Sequence, residues 1–135
     1  MSAAFSLSVV APDRKVVETN VTSVTAPGVE GYLGVQAGHI PMIVALKPGL
    51  LEYMDADTQH HYVAIDGGFM EISGTQVIVI AEGAEIASEI DIKKAEAELE
   101  EARKALRGEG GTMNMEDATE AMERAMNRIK AARIK

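Results

Sequence analysis

Arg124 and Arg128, four residues apart, are the most concentrated chemistry in this chain, preceded by an Asp91-x-x-Lys94 pair. On a helix, positions four apart share a face. Two guanidinium groups placed so could neutralise a phosphate. A plainer reading stands beside this one. Arg124 can pair with Glu120 one turn back, and Asp91 can cap a helix, its carboxylate accepting an orphan backbone N–H. The histidines are divided. His39 falls in Gly38-His39-Ile40-Pro41, where a ring can cap a turn, and His60 and His61 belong to a strand-like run. No cluster with metal-ligand spacing emerges from them. The chain has no Gly-x-x-x-x-Gly-Lys-Ser/Thr loop, no Gly-x-Ser-x-Gly and no cysteine. Catalytic motifs are therefore missing, and the expectation is a protein that is not an enzyme. Gly67-Gly68 reads as a tight turn between strands.

Two regions must position these residues. Over 1–84, Phe5, Leu7 and Val9 alternate with Ser6 and Ser8, and short runs rich in Val and Ile recur up to Val77–Ile80. Turn signals separate the runs at Pro12-Asp13, Pro27-Gly28, Lys47-Pro48-Gly49, Asp55-Ala56-Asp57, Asp66-Gly67-Gly68 and Ser73-Gly74. That pattern predicts an antiparallel sandwich or barrel. Over 85–135 the period changes. Ile92, Ala95, Leu99, Ala102 and Leu106 mark one face of a helix behind an Asp91 N-cap. Gly108, Gly110 and Gly111 end it. Asn114 caps a second helix with Met115, Ala118, Met122, Ala125, Ile129 and Ala132 on one face. Both helices read as acidic early and basic late, which suits the helix dipole. The short glycine-rich connection predicts an antiparallel hairpin. Its apolar face is mainly alanine and buries little area, so the two helices hold each other weakly and can change partners.

Charge and composition narrow the function. The net charge of −8 divides as −6 over 1–84 and −2 over 85–135. An acidic chain lacks the basic footprint of nucleic-acid binding, and it is poorly suited to anionic lipid. No apolar run approaches the roughly 20 residues of a membrane span. The N-terminal Met-Ser-Ala-Ala-Phe-Ser lacks the pattern of a secretory signal. A reducing, cytosolic setting is the simplest expectation.

Four blocks then fall in an informative order: Gly28-Val29-Glu30-Gly31-Tyr32-Leu33-Gly34-Val35-Gln36-Ala37-Gly38-His39-Ile40-Pro41, Ala45-Leu46-Lys47-Pro48-Gly49, Asp66-Gly67-Gly68-Phe69-Met70-Glu71-Ile72 and Val77-Ile78-Val79-Ile80-Ala81. Glu89-Ile90-Asp91-Ile92-Lys93-Lys94-Ala95 follows them. Together they resemble the epsilon subunits of F-type, bacterial ATP synthases over nearly the whole chain. The resemblance implies a β-sandwich of about ten strands followed by an antiparallel two-helix hairpin. It implies a non-catalytic rotor subunit of a proton-translocating complex, peripheral to the inner membrane on its cytoplasmic face. The sandwich would grip the gamma subunit, with His39 facing it, and rest on the membrane rotor ring through Glu30, Gly31 and Tyr32. The mobile hairpin would reach the catalytic alpha and beta subunits and restrain ATP hydrolysis. Ile90-Asp91-x-x-Lys94-Ala95 also resembles the Ile/Leu-Asp-x-x-Arg-Ala motif of ATP-binding members, with lysine in place of the arginine fork. The resemblance adds Glu85 ahead of the motif and places Arg124 and Arg128 at the phosphates, while Glu101 stands where relatives supply an arginine. ATP, with or without magnesium, would be a regulatory ligand.

The rival reading is a free-standing nucleotide-sensing or scaffold protein. Apolar, glycine-rich surface around residues 28–46 separates the two, because only a partner would cover it.

Overall fold

Alternation in the first run produces a strand with one buried face. In β1 (Phe5–Ala11), Phe5, Leu7, Val9 and Ala11 are buried and the intervening residues are half-buried. The computed structural model describes residues 3–109 and 113–134. The chain continues through β2 (Arg14–Gly28), β3 (Gly31–Val35), β4 (Met42–Asp55), β5 (His60–Ile72), β6 (Gln76–Ala81), β7 (Ala84–Ile86), a 3-10 turn (Ala87–Glu89), α1 (Ile92–Leu106) and α2 (Met115–Ile134). These elements form two compact units, Met1–Ile86 and Ala87–Lys135. The first runs past residue 84 because β7 pairs with Val63–Ile65 of β5.

In the first unit, β1 is antiparallel to β2 on one edge and parallel to β6 on the other. β6, β5, β4 and β2 follow in order, so the sheet closes on itself, with β3 added beside β2 and β7 beside β5. Leu7, Val9, Val21, Val24, Leu51, Val63, Ile65, Met70 and Val79 are wholly buried between the facing walls. Each such side chain contributes about 1.5–3 kcal/mol on burial. The core needs no aromatic beyond Phe5 and Tyr53.

Seven strands form where about ten short ones are expected, because three of them are long. β2, β4 and β5 run 15, 14 and 13 residues, and split at their bends they account for the difference. Lys47-Pro48-Gly49 and Asp66-Gly67-Gly68 are not turns between strands. They lie opposite each other inside the β4–β5 ladder, with Pro48 beside Asp66 and Leu46 beside Gly68. Gly67 and Gly68 have φ of 110° and 138°, so β5 bends there without leaving the sheet. A Cβ on Gly68 would stand 2.1 Å from the Ile80 carbonyl oxygen on β6.

The true reversal between β4 and β5 is built by Asp55. Its Oδ1 accepts the N–H groups of Asp57 at 2.8 Å and Gln59 at 3.0 Å. Its Oδ2 meets His61 Nε2 at 2.7 Å, and the His61 ring stacks on Tyr53 with centroids 4.8 Å apart. The His61 hydrogen bond, then the Gln59 N–H, hold the Asp55 carboxyl below its ordinary range.

In the second unit, Asp91 caps α1 by accepting the Lys94 N–H at 3.1 Å, and Asn114 caps α2 by accepting that of Asp117 at 2.8 Å. Beyond α1, Gly108 has φ of 74°. Its N–H reaches the Ala105 carbonyl and the Glu109 N–H reaches that of Lys104. These two bonds satisfy otherwise unpaired carbonyls of the last turn. Gly110 and Gly111 lie outside the described residues. The dipole expectation holds for α2, with Glu116 and Asp117 early and Arg133 late. It fails in part for α1, whose first turn has no acidic residue and carries Lys93 and Lys94; only the Asp91 cap offsets the dipole there. The buried positions are Ala95 and Ala102 on α1 and Ala118, Ala125, Ile129 and Ala131 on α2, with Ala132 half-buried. An alanine methyl contributes about 0.8 kcal/mol, so the seam is thin.

Two outcomes are expected. Gly68→Ala lowers the stability of the sheet by more than about 2 kcal/mol in urea unfolding, since a positive φ alone costs about 1–2 kcal/mol and the β6 carbonyl must move. The depressed Asp55 carboxyl contributes stability present above its unfolded pKa and lost as pH falls through its lower folded pKa, that is, below about 4. Thermal melts at pH 6 and pH 3 check this: Asp55→Asn loses less between the two than the wild type.

Candidate functional site

The residues expected to hold ATP are partly gathered in the second unit. Ile90, Asp91, Lys94 and Ala95 surround the start of α1, and Arg124 and Arg128 lie one turn apart on α2. Asp91 is engaged as the N-cap, Lys94 is exposed at the surface, and Ala95 is buried in the seam. Arg124 reaches Glu120 at 3.8 Å, the local pairing that its i, i−4 spacing allows. Arg128 is only 21% exposed and its Nη2 pairs with Glu98 across the hairpin. Arg133 likewise reaches across from α2 to Glu96 on α1 at 3.7 Å. Charges thus cross a seam made of alanine. A phosphate entering here would compete with Glu98 for the Arg128 fork. Glu101 is exposed on α1. Glu85 belongs to β7, opposite Ala64 in the sheet of the first unit.

Glu30, Gly31 and Tyr32 stand at the β2–β3 hairpin. Gly28 pairs with Gly31, leaving Val29 and Glu30 as a two-residue loop in which both residues are exposed. Gly31 has φ of 128°, a conformation that favours glycine. The Tyr32 ring is 56% exposed, yet its hydroxyl accepts the Leu50 N–H at 3.3 Å. That bond ties the hairpin to β4. His39 closes a turn with its N–H on the Gln36 carbonyl at 3.2 Å. Its Nδ1 lies 2.8 Å from the Ile40 carbonyl, so Nδ1 carries a proton and donates. The ring borders a cleft of about 590 Å³ that Ser23, Thr25 and Gln36 also line. The His39 ring thus bonds its own loop, and the backbone N–H closes the turn.

Three features are not apparent from sequence spacing. One is Glu98 as the partner of Arg128. Another is the pairing of His60 with Glu52 at 2.7 Å beside the His61–Asp55 pair. These hold two histidines by two separate carboxylates, and among the described residues no three such groups converge on a metal site. The third is an apolar outer face on the sheet. Val10, Ile80, Phe69 and Ala45 are aligned in one row across four strands, and Ser8, Ile78, Glu71 and Ile43 in the next. Ile43, Phe69 and Ile80 are 69%, 58% and 61% exposed. Phe69 and Ile80 alternate with the buried residues Met70, Val79 and Ala81, whereas their alignment with Ile43 depends on the register.

A closed sandwich with exposed apolar residues on its outer wall, followed by a thinly packed helical pair, defines a class of two-part proteins. Known proteins share the whole arrangement. Residues 4–87 match the beta-sandwich domain of the ATP synthase delta/epsilon chain, and residues 88–133 match its long alpha-helix domain. The chain is 38% identical over 131 residues to an ATP synthase epsilon chain of Anaeromyxobacter dehalogenans, covering 97% of this chain and 96% of that one. It is 43% identical over 106 residues to an ATP synthase epsilon chain of Lawsonia intracellularis, covering 78% and 79%. Among solved structures, it superposes on a chain of the Euglena gracilis mitochondrial ATP synthase with a TM-score of 0.79 and 27% identity, covering 98% of this chain and 82% of that one. The chain belongs to the ATP synthase delta/epsilon family. It is a non-catalytic, central-stalk subunit of epsilon type.

The two arginines should differ in their structural weight. Arg128→Ala removes a half-buried cross-helix pair and should destabilise the helical unit by about 0.5–1 kcal/mol, whereas Arg124→Ala, which loses an exposed pair, should cost about 0.3 kcal/mol or less. Helical melts followed by circular dichroism measure both.

Proposed function

We propose that the first unit couples the gamma subunit to the membrane rotor ring, and that the hairpin regulates the enzyme by restraining ATP hydrolysis. The apolar outer face carries this reading. Phe69 and Ile80 are exposed cross-strand neighbours, with exposed Ile43 diagonal to Phe69, and exposed apolar groups so grouped mark protein interfaces. His39 would extend the gamma contact from the 36–39 turn. Glu30, at the tip of a hairpin pinned by Tyr32, would meet polar loops of the ring. The work would be done at the cytoplasmic face of the inner membrane, within a proton-translocating complex; no helix among the described residues is long and apolar enough to cross a membrane.

The thin seam supports the regulatory half. An alanine interface held by cross-helix ion pairs is a small barrier to separating α1 from α2, so the hairpin can open and reach the catalytic alpha and beta subunits. ATP would bind the closed form as a ligand and not as a substrate. Ile90, Asp91, Lys94 and Ala95 would form its base and ribose side, and Arg124 and Arg128 would meet the phosphates. A ligand shifts a two-state equilibrium only by its differential affinity. Opening removes the arginines from the α1 half of the site, so ATP favours the closed form. At about 100 times the dissociation constant the shift is roughly 2.7 kcal/mol.

Reconstitution with gamma and the catalytic head tests both halves. Phe69→Glu should weaken gamma binding thirtyfold or more if the patch is an interface hot spot. Removal of residues 89–135 should leave that binding intact and raise ATP hydrolysis. Unchanged hydrolysis would count against restraint by the hairpin. Calorimetry on the full chain should show ATP binding weakened about tenfold by Arg124→Ala and less by Arg128→Ala, whose guanidinium Glu98 already neutralises; if both variants bind like the wild type, the arginines are surface charges only.

A further inference from the structure

We propose that the hairpin carries a second anion site, a groove for a single-chain amphiphile such as an alkyl phosphate or alkyl carboxylate. The groove has a volume of about 470 Å³ and is lined by Leu99 and Arg103 from α1 and by Met126, Ile129, Lys130, Arg133 and Ile134 from α2. Small-molecule sites span about 300–1,000 Å³. Residues two apart on a helix of 3.6 residues per turn lie on nearly opposite sides, so Met126 and Lys130 face away from Arg124 and Arg128. This groove is therefore separate from the proposed nucleotide site.

Its chemistry is amphiphilic in a specific sense. Leu99, Met126, Ile129 and Ile134 form an apolar floor, and Met126 is 49% exposed with nothing polar of its own to offer water. The rim has three cations and no carboxylate, in a chain whose net charge is −8. Arg103 and Lys130 make no ion pair among the described residues, and Arg133 holds Glu96 at 3.7 Å. That distance leaves the guanidinium able to turn to a closer anion. An apolar tail would cover the floor while its anionic head meets the rim, and neither part alone would use both features. Because α1 and α2 both contribute, such a ligand would favour the closed hairpin.

The test is calorimetry and methyl spectroscopy of the full chain with decyl phosphate below its micelle concentration. Saturable binding at one site is expected, with shifts centred on Leu99, Met126, Ile129 and Ile134. Arg103→Ala and Lys130→Ala should each weaken it about tenfold, as should Met126→Glu, which puts a carboxylate in the floor. Decanol, inorganic phosphate and vesicles of anionic phospholipid should each bind at least tenfold more weakly. Helix content followed by circular dichroism confirms that each variant remains folded. The proposal is overturned by absence of saturable binding, by decanol, phosphate or vesicles binding as tightly as decyl phosphate, or by Met126→Glu binding like the wild type with its helices intact.

Discussion

β1 is hydrogen-bonded on both edges, and the first unit depends on that double pairing. Joining β2 on one side and β6 on the other turns a twisted sheet into a closed wall. Closure fixes which face of every strand is inside. Val9, Val79, Met70 and Val44 then form one inward row, and the residues between them are directed outward. Ile43, Phe69 and Ile80 are outside for this reason. No rearrangement short of breaking the β1 ladders can bury them within the sheet. The hydrophobic core of the first unit is drawn from β1 to β6, with Ala84 and Ile86 of β7 against it. The core and the exposed apolar residues thus occupy opposite faces of the same strands.

The helical pair solves a different problem. A seam of alanines lets two helices approach closely while burying little area, so hydrophobic stabilisation stays small. Sharp ends compensate locally: Asp91 and Asn114 at the starts, and the Gly108 motif after α1. Caps stabilise each helix by itself and do not require the helices to touch. The ion pairs Arg128–Glu98 and Arg133–Glu96 do require it. Such exposed or half-exposed pairs contribute little each and weaken with salt. The elements are therefore more secure than their association, which is the condition a hairpin needs in order to open without unfolding.

Local chemistry was legible in the sequence and long-range alignment was not. Alternation at Phe5, Leu7 and Val9, the caps at Asp91 and Asn114, and the Ala95–Ala102 stripe follow from spacings of two, three and four residues. Gly67-Gly68 was misleading because positive-φ glycines serve turns and strand bends alike; only the pairing of Leu46 with Gly68 distinguishes them. The candidate nucleotide residues were legible as a motif, and Arg124–Glu120 as a local pair. Glu98 was not, since its contact with Arg128 depends on how two helices are set side by side. The outer apolar row is similar: each of its residues could be read as facing away from the core, but their adjacency exists only across four strands.

The same Arg128–Glu98 pair constrains how strongly ATP could act. Without nucleotide, Glu98 already neutralises the guanidinium and binds α2 to α1. A phosphate taking its place gains one charge contact and releases one, so the exchange by itself is close to neutral. The net gain would have to come from groups whose charge is less fully used: Arg124, whose partner is 3.8 Å away, and Lys94, exposed beside the α1 start. It would also depend on Glu98 finding water, which its 43% exposure permits. Lysine at position 94 supplies charge without the planar fork of arginine, and Glu101 adds exposed negative charge to α1. Under the proposed nucleotide reading, both features would lower the affinity of the paired helices for phosphate. Any nucleotide effect would consequently be small, and the pairing of α1 with α2 owes more to its own carboxylates.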